Sequence, residues 1–259
     1  MPRYAELLPN QLNSLWAANA PAIVPWGALE WHGSHLPLGL DGIVADFFAE
    51  RLAEQVGGVL LPQMWVPMTT LPHPHSIQFR TETFRGVLDD LLGGLFQSGA
   101  RRVCLITGHY AQGHQVEMSE AALRAMEDYS GLLVLCATPL ELLDDDRFLD
   151  HAGHYETSQL LAIRPELVHL ELRPLEYGSP HNSAVLGEAP ELGTAEEGEA
   201  LLEAGLNSWC AWLEEASAES LNNHYKSVFD RYATYVRSYY RGSWEDAIEE
   251  WWSKKGEPE

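Results

Sequence analysis

The sequence has few cysteines and few basic residues, and each shortage argues against a class of protein. The cysteines are three in number, contain no CxxC pair and sit mainly in apolar runs, which predicts inert thiols rather than a disulfide framework. Lys and Arg total 16 against 38 Asp and Glu, so the formal net charge is −22. Such a surface repels nucleic acid and anionic lipid, and we expect neither as a partner.

Long apolar runs and nucleotide-binding motifs are also missing. No run approaches the roughly 18 apolar residues that cross a bilayer, and the N-terminal segment lacks the apolar stretch of a signal peptide. No GxGxxG follows an expected strand, which argues against a dinucleotide-binding protein. We therefore expect a cytoplasmic protein, and 259 residues with 46% apolar content suffice for one large α/β domain.

Short apolar strands alternate with amphipathic helices over the first 170 residues. Strands are expected at 22–24, 59–61, 103–106 and 132–136. Helices are expected at 43–55, 82–97, 114–129 and 155–163. This alternation predicts an α/β fold with a mostly parallel sheet and helices on both of its sides.

The last third of the chain has a different pattern. Residues 171–194 are rich in Pro and Gly and are expected to form a long loop, followed by helices at 195–218 and 219–251. We divide the chain into a domain of residues 1–218 and a helical extension of residues 219–259. The extension carries an aromatic series: Tyr225, Phe229, Tyr232, Tyr235, Tyr239 and Tyr240. These rings pack either on their own domain or on a neighbouring subunit.

Three segments place metal-ligand residue types just after expected strands or at the start of an expected helix. Glu30, His32, His35 and Asp41 lie within twelve positions directly after the first strand. The second segment is TGHYAQGH at 107–114, and the third is HAGHYETS at 151–158. Open α/β sheets bind ligands beyond the carboxyl ends of their strands. Carboxylate and imidazole groups suit Zn²⁺, Mn²⁺ or Fe²⁺, so the three segments together predict a metal site.

Taken together, the three segments resemble the motifs of the creatininase family. PWGALEWHGSHLPLGLD at 25–41 resembles the hallmark Gly-x-x-Glu-x-His-Gly-x-His-Leu-Pro that is followed by an aspartate. The second segment resembles the family's Asn-Gly-His loop, and the third its His-Ala-Gly-x-x-Glu-Thr-Ser segment. The motifs come in the family's order, and the likeness covers roughly residues 20–170. It implies a three-layer α/β/α sandwich, two divalent metal ions per subunit and a homo-oligomer.

The resemblance also assigns roles to residues. Glu30 and His109 match ligands of one metal ion, His32 matches a ligand of the other, and Asp41 matches the carboxylate that bridges both. His151 matches a histidine that moves protons during catalysis. Creatininase has a glutamate where this chain has Ala111. We expect Glu156 to replace it, and we place Glu156 among both the metal ligands and the catalytic residues.

The expected activity is hydrolysis of a C–N bond, such as an amide in a small, possibly cyclic molecule, by metal-activated water. Six residues are placed in the substrate pocket: Trp31, His35, Tyr110, Gln112, His154 and Tyr155. Two alternatives stay open. The same two-metal site could hydrolyse a C–C bond of a cyclic ketone, or the chain could be a non-catalytic metal-binding member of the family.

Overall fold

The computed structural model describes residues 1–143, 145–177 and 180–232. The described residues form four strands: β1 (Ala22–Trp26), β2 (Val59–Leu60), β3 (Arg102–Thr107) and β4 (Leu133–Ala137). They also form eight α-helices: α1 (Pro9–Ala17), α2 (Leu40–Val56), α3 (Thr81–Ser98), α4 (Gln112–Asp128), α5 (His154–Ile163), α6 (Pro180–Ser183), α7 (Ala195–Glu215) and α8 (Ala218–Arg231).

The four strands form one parallel sheet in the order β2-β1-β3-β4. β1 is buried along its whole length, as expected for a parallel strand covered on both faces. In the register of β1 and β3, Trp26 lies opposite Thr107, so these two strands end side by side. The segments that follow them, with Glu30 and His109, therefore leave the sheet at the same edge.

Helices cover both faces of the sheet. The connection through α2 runs from β1 to β2 in one direction across the sheet, whereas those through α3 and α4 run in the opposite direction. Since parallel crossovers are right-handed, α2 must lie on one face and α3 and α4 on the other. α5 and α7 pack with α2, while α8 packs with α4 and β4. The predicted α/β sandwich with a parallel sheet is confirmed.

The main difference from the expected helices concerns α2. The apolar periodicity predicts a helix over 43–55, but α2 begins at Leu40, so Asp41 lies in its first turn instead of in the preceding loop. Two glycines allow the start of α2 to approach the sheet. A Cβ at Gly27 would lie 2.4 Å from the Cα of Gly42, and one at Gly108 would lie 1.9 Å from the carbonyl oxygen of Asp41.

The close contact at Gly108 leads to a stability prediction. Gly108→Ala is expected to lower the free energy of unfolding by about 1–3 kcal/mol, because overpacking at a rigid backbone contact costs that much. Gly86→Ala is the matched control, because Gly86 is an exposed residue of α3 with no heavy atom within 4 Å of a new Cβ. This control is expected to stabilise the protein by about 0.5–1 kcal/mol. Urea denaturation of both variants checks the prediction, and equal stabilities would contradict it.

The described part of the C-terminal region packs on the sheet layer. Tyr225 of α8 is fully buried, donates its hydroxyl to the carbonyl of Val134 at 2.6 Å and accepts from the N–H of Cys136 at 3.0 Å. The later aromatic residues of the predicted extension, from residue 233 onward, lie outside the described residues. Between α5 and α7 the chain forms short turns and α6, where the composition predicts a loop.

Two expectations on cysteines and membranes can be compared with the structure. All three cysteines are free thiols, and Cys104 and Cys136 are buried in the core. No helix within the described ranges has both the length and the hydropathy needed to cross a bilayer.

Candidate metal centre

Side chains from four parts of the chain meet at the carboxyl ends of β1 and β3. Glu30 and His32 follow β1, His109 follows β3, Asp41 lies in the first turn of α2, and Glu156 lies in the first turn of α5. All five are at most 2% exposed to solvent, which is rare for carboxylates and calls for a compensating partner.

The first cluster consists of Glu30, Asp41 and His109. The Nδ1 atom of His109 lies 2.9 Å from Oε2 of Glu30 and 3.1 Å from Oδ2 of Asp41. One donor atom from each of the three residues lies within 4.8 Å of the other two. The sequence expectation assigns Glu30 and His109 to one ion, and the structure brings them together.

The second cluster consists of His32, Asp41 and Glu156. The Nε2 atom of His32 lies 3.0 Å from Oδ1 of Asp41 and 3.5 Å from Oε2 of Glu156. Asp41 thus contributes one oxygen to each cluster, as a bridging carboxylate would. Glu156 supplies the third donor atom of this cluster.

These separations are as short as those between ligands of one metal ion. Within the described chain, Oε2 of Glu30, Nε2 of His32 and both carboxylate oxygens of Asp41 are buried without a hydrogen-bond partner. Two ligand atoms that each lie about 2.1 Å from one ion are about 3.0 Å apart at a right angle and about 3.4 Å apart at the tetrahedral angle. The four distances between donor atoms fall in or close to this range, so the residues fit a divalent ion in each cluster.

Backbone carbonyls fix the ring nitrogen that each histidine presents. Nδ1 of His32 lies 3.0 Å from the carbonyl oxygen of Glu30, and Nε2 of His109 lies 3.1 Å from that of Met68. A carbonyl oxygen only accepts, so each of these nitrogens carries the hydrogen and donates it. The lone pairs of the neutral rings are then on Nε2 of His32 and Nδ1 of His109, the atoms that face the carboxylates. This arrangement is typical of histidine ligands.

Without a bound ion, the histidines and carboxylates of the two clusters shift one another's pKa values. Burial lowers the pKa of His32, but the carboxylates of Asp41 and Glu156 outweigh burial and raise that pKa to about 10. Burial also opposes the charge of His109, whose pKa is nevertheless raised well above its ordinary value by Glu30 and Asp41. The charge of His109 holds the pKa of Glu30 below its ordinary range, and the charges of His32 and His109 do the same for Asp41, although burial acts the other way in both. Burial raises the pKa of the Glu156 carboxyl well above its ordinary value.

His151 stands beside the clusters. Its ring centroid lies 4.3 Å from that of His32, and a ring nitrogen lies within 4.8 Å of donor atoms of Glu30 and His32. Its Nε2 donates to the carbonyl oxygen of Trp31 at 3.1 Å, so Nδ1 is the basic nitrogen of the neutral ring. Burial and the charge on His32 lower the pKa of His151 to about 4.

Four of the residues expected in the pocket have the following surroundings. The ring of Trp31 is half-buried and stacks on His73 with centroids 4.4 Å apart. Tyr110 is half-buried after β3, and its carbonyl accepts from the side chain of Gln115. Gln112 begins α4, and its side-chain oxygen has no hydrogen-bond partner among the described residues. Tyr155 is buried against Phe148.

The structure does not bring His35 or His154 to the metal-ligand side chains. His35 is buried, and its Nε2 donates to the carbonyl of Ala152 at 3.0 Å, which ties the first motif to the third. His154 lies within salt-bridge distance of Glu188 and Glu197, and its ring stacks on Tyr155. Both histidines therefore have structural partners that the motif pattern does not reveal.

The loop from 66 to 71 also contributes to the metal centre, although no pattern in its sequence indicates this. Its Met68 carbonyl orients His109, and its Leu71 N–H donates to Oε1 of Glu30. Both contacts use backbone atoms, so no residue type in the loop signals them. Thr69 between them has a positive φ of 57°, which is strained for a β-branched residue.

Comparisons with known proteins agree on one family. The family model for creatininase, described as creatinine amidohydrolase, matches residues 5–213. A creatinine amidohydrolase from Pseudomonas putida is 26% identical over 178 residues, which are 60% of this chain and 68% of that protein. A mycofactocin precursor peptide peptidase from Mycolicibacterium smegmatis is 32% identical over 218 residues, or 73% of this chain and 82% of that protein. A 3-dehydro-scyllo-inosose hydrolase from Thermotoga maritima is 26% identical over 164 residues, which are 58% of this chain and 52% of that protein.

Solved structures show the same fold. A crystal structure of creatinine amidohydrolase has a TM-score of 0.70 at 24% identity and covers 82% of this chain and 97% of its own. Related creatininase structures are described as a Mn form and a Zn-Zn type.

Proposed function

The chain belongs to the creatininase family of hydrolases, and on that premise we propose that it binds two divalent metal ions and cleaves a C–N bond of a small-molecule amide. The observation that carries the proposal is the pair of buried donor clusters that share Asp41. Buried carboxylate oxygens without hydrogen-bond partners, here Oε2 of Glu30 and both oxygens of Asp41, are costly, and a bound cation would compensate them.

The donor atoms limit the choice of ion. Three carboxylates and two imidazoles suit Zn²⁺, Mn²⁺ or Fe²⁺, and the chain offers no thiolate in either cluster among the described residues. In the proposed arrangement Glu30, His109 and Asp41 would hold one ion, and His32, Glu156 and Asp41 would hold the other. Such ions lower the pKa of water to roughly 7 and polarise a carbonyl oxygen.

His151 is proposed to move the proton that amide cleavage requires. Its pKa of about 4 keeps the ring neutral near pH 7, so its basic nitrogen accepts a proton before it returns one to the leaving nitrogen. The hydrogen bond from its Nε2 to the Trp31 carbonyl holds the ring orientation during this exchange. The surrounding burial excludes bulk water and strengthens each charge interaction.

The name of the Thermotoga maritima relative favours one second candidate, hydrolysis of a C–C bond in a cyclic ketone. Nucleophilic attack on a polarised carbonyl begins either reaction, so the clusters alone do not separate them. The products do, because amide cleavage releases an amine and ketone cleavage yields only a carboxylate.

A substrate screen with product analysis tests the proposal. The Mn²⁺-loaded and Zn²⁺-loaded proteins are incubated with cyclic and linear amides and with cyclic polyhydroxy ketones, and amines and carboxylates are quantified. We expect release of an amine that depends on the metal and on His151. A carboxylate without an amine would support the second candidate. Two bound ions without any turnover would support a non-catalytic protein.

Metal binding is expected to release protons. The pKa values of His32, His109 and Glu156 are raised, and any proton that these groups hold must be lost before they become ligands. Loading two ions should therefore release protons, and the apparent affinity should rise with pH until the pKa of His32 at about 10 is passed. Titration with MnCl₂ in weakly buffered solution with a pH indicator measures the release. An affinity that is independent of pH between 6 and 8 would contradict the assignment of these ligands.

We also propose that the chain forms a homo-oligomer, as the family resemblance implies. Several large apolar side chains are exposed, with Ile77 at 48% and Leu175 at 91%. Sedimentation at micromolar concentration is expected to show a species larger than the 29.0 kDa chain. A single species of monomer mass would refute this expectation.

A further inference from the structure

Asp150 is a buried carboxylate immediately before the third motif, and neither its charge nor its position is used in the proposed reaction. It is 3% exposed. Its Oδ2 accepts the N–H of Tyr155 at 2.7 Å, and its Oδ1 accepts the N–H of Glu156 at 3.2 Å. These N–H groups belong to the first turn of α5 and have no partner within the helix. A charged acceptor there also interacts favourably with the helix dipole.

Two glycines make room for this carboxylate. A Cβ at Gly153 would lie 2.6 Å from Oδ2 of Asp150. Gly187 has a φ of +100°, and a Cβ there would lie 2.8 Å from the Cβ of Asp150. The chain therefore wraps around Asp150 more closely than larger residues at these two positions would allow.

The side chain of Glu156 in turn accepts a hydrogen bond from the backbone near Asp150. Its Oε2, the atom that lies 3.5 Å from Nε2 of His32, accepts the N–H of Ala152 at 2.6 Å. Ala152 has a strained positive φ of 49°, and its carbonyl accepts from His35 at 3.0 Å. The segment from Asp150 to Glu156 is thus closed at both ends by carboxylate–amide hydrogen bonds. His151 lies inside it, and its backbone pairs with Leu186 at 2.8 and 2.9 Å.

We propose that Asp150 is the positioning residue of the metal centre, because it fixes the first turn of α5 and so aims Glu156 at His32 and Asp41. This inference rests on the proposed function, since it takes Glu156 as a ligand. An ordinary helix cap would stabilise α5 without any effect on metal affinity. Asp150 differs because the amide that it binds belongs to Glu156 itself.

A stepwise metal titration separates positioning from ordinary capping. We expect Asp150→Ala to weaken binding of the ion held by His32 and Glu156 by about 10–100-fold, the usual effect of losing a group that orients a ligand. The ion held by Glu30 and His109 should keep its affinity within about threefold, a margin well below that effect. Asp150→Asn keeps the shape and one acceptor oxygen, so it should restore part of the loss. Calorimetric titration with MnCl₂ measures both affinities.

Ser217→Ala is the matched control. Ser217 caps α8 by accepting the N–H of Ser220, far along the chain from the three motifs. Its replacement should lower thermal stability, as loss of a cap does, and leave both metal affinities unchanged. If Asp150→Ala also lowers only the thermal stability, Asp150 is a cap and the inference is wrong.

A double variant tests whether Asp150 acts through Glu156. If it does, Asp150→Ala combined with Glu156→Ala should bind metal no more weakly than Glu156→Ala alone. If the two replacements instead weaken metal binding by factors that multiply, Asp150 does not act through Glu156 and the inference is wrong. Hydrogen exchange of the Tyr155 and Glu156 amides in metal-free protein gives a readout that needs no metal, and faster exchange in Asp150→Ala is expected. Wild-type protein that binds no metal would refute the proposed function, whereas normal exchange in Asp150→Ala would refute the role of Asp150.

Discussion

Replacement of Asp41 by alanine is expected to remove both metal ions and to lower turnover by at least about 10³-fold. Its two carboxylate oxygens face different partners, with Oδ1 toward His32 and Oδ2 toward His109, so no other single side chain serves both clusters. Stabilisation of charge by a metal is worth several kcal/mol, and each 1.4 kcal/mol changes a rate about tenfold. Metal content by mass spectrometry and turnover under the same conditions measure the effect.

Asp46→Ala is the control for Asp41. Asp46 is a half-buried acid on the same helix, α2, and takes no part in either donor cluster. The Asp46→Ala protein should keep two ions per chain and normal turnover. An Asp41→Ala protein that retains full metal content and activity would show that the carboxylate does not bridge the ions.

The second large effect is expected for His151. His151→Ala should lower turnover by about 10²–10⁴-fold, the range for removal of a general acid or base, while metal content stays unchanged. The reason is its orientation, since its Nε2 donates to the Trp31 carbonyl and Nδ1 is left as the nitrogen that can accept a proton. Turnover and bound metal are measured on the same preparation.

Two replacements in the same segment serve as comparisons for His151→Ala. His154→Ala should have little effect on turnover, because the partners of His154 are Glu188 and Glu197. Glu156→Ala should lower metal occupancy, because its carboxylate lies 3.5 Å from the ligand nitrogen of His32. A His151→Ala protein that loses metal would show that ligand and proton carrier have been exchanged.

The metal-ligand residues could be proposed from the sequence because their spacing follows the strand ends. Glu30 and His32 come after β1 and His109 after β3, and parallel neighbouring strands end at one edge of the sheet. Glu156 was proposed only through the family motif and the alanine at position 111. Its placement depends on how α5 approaches α2, which is a tertiary contact and has no local pattern.

Other parts of the centre could not be predicted. The Met68 carbonyl and the Leu71 N–H act through the backbone, and any residue type supplies those groups. The sequence prediction also placed the start of α2 three residues too late, at residue 43, although Leu40 continues the apolar face of Val44 and Phe48. The close approach of this first turn to the sheet, which Gly27 and Gly108 permit, is a tertiary contact that no local pattern indicates.

The position of the bound ions tests the account most directly. Anomalous diffraction at the manganese edge, from crystals grown with Mn²⁺, is expected to show two peaks on either side of the Asp41 carboxylate. One should lie about 2.0–2.2 Å from donor atoms of Glu30 and His109, and the other at the same distance from those of His32 and Glu156. Peaks located elsewhere, or these donor side chains more than about 5 Å apart in the metal-loaded protein, would contradict the proposed centre.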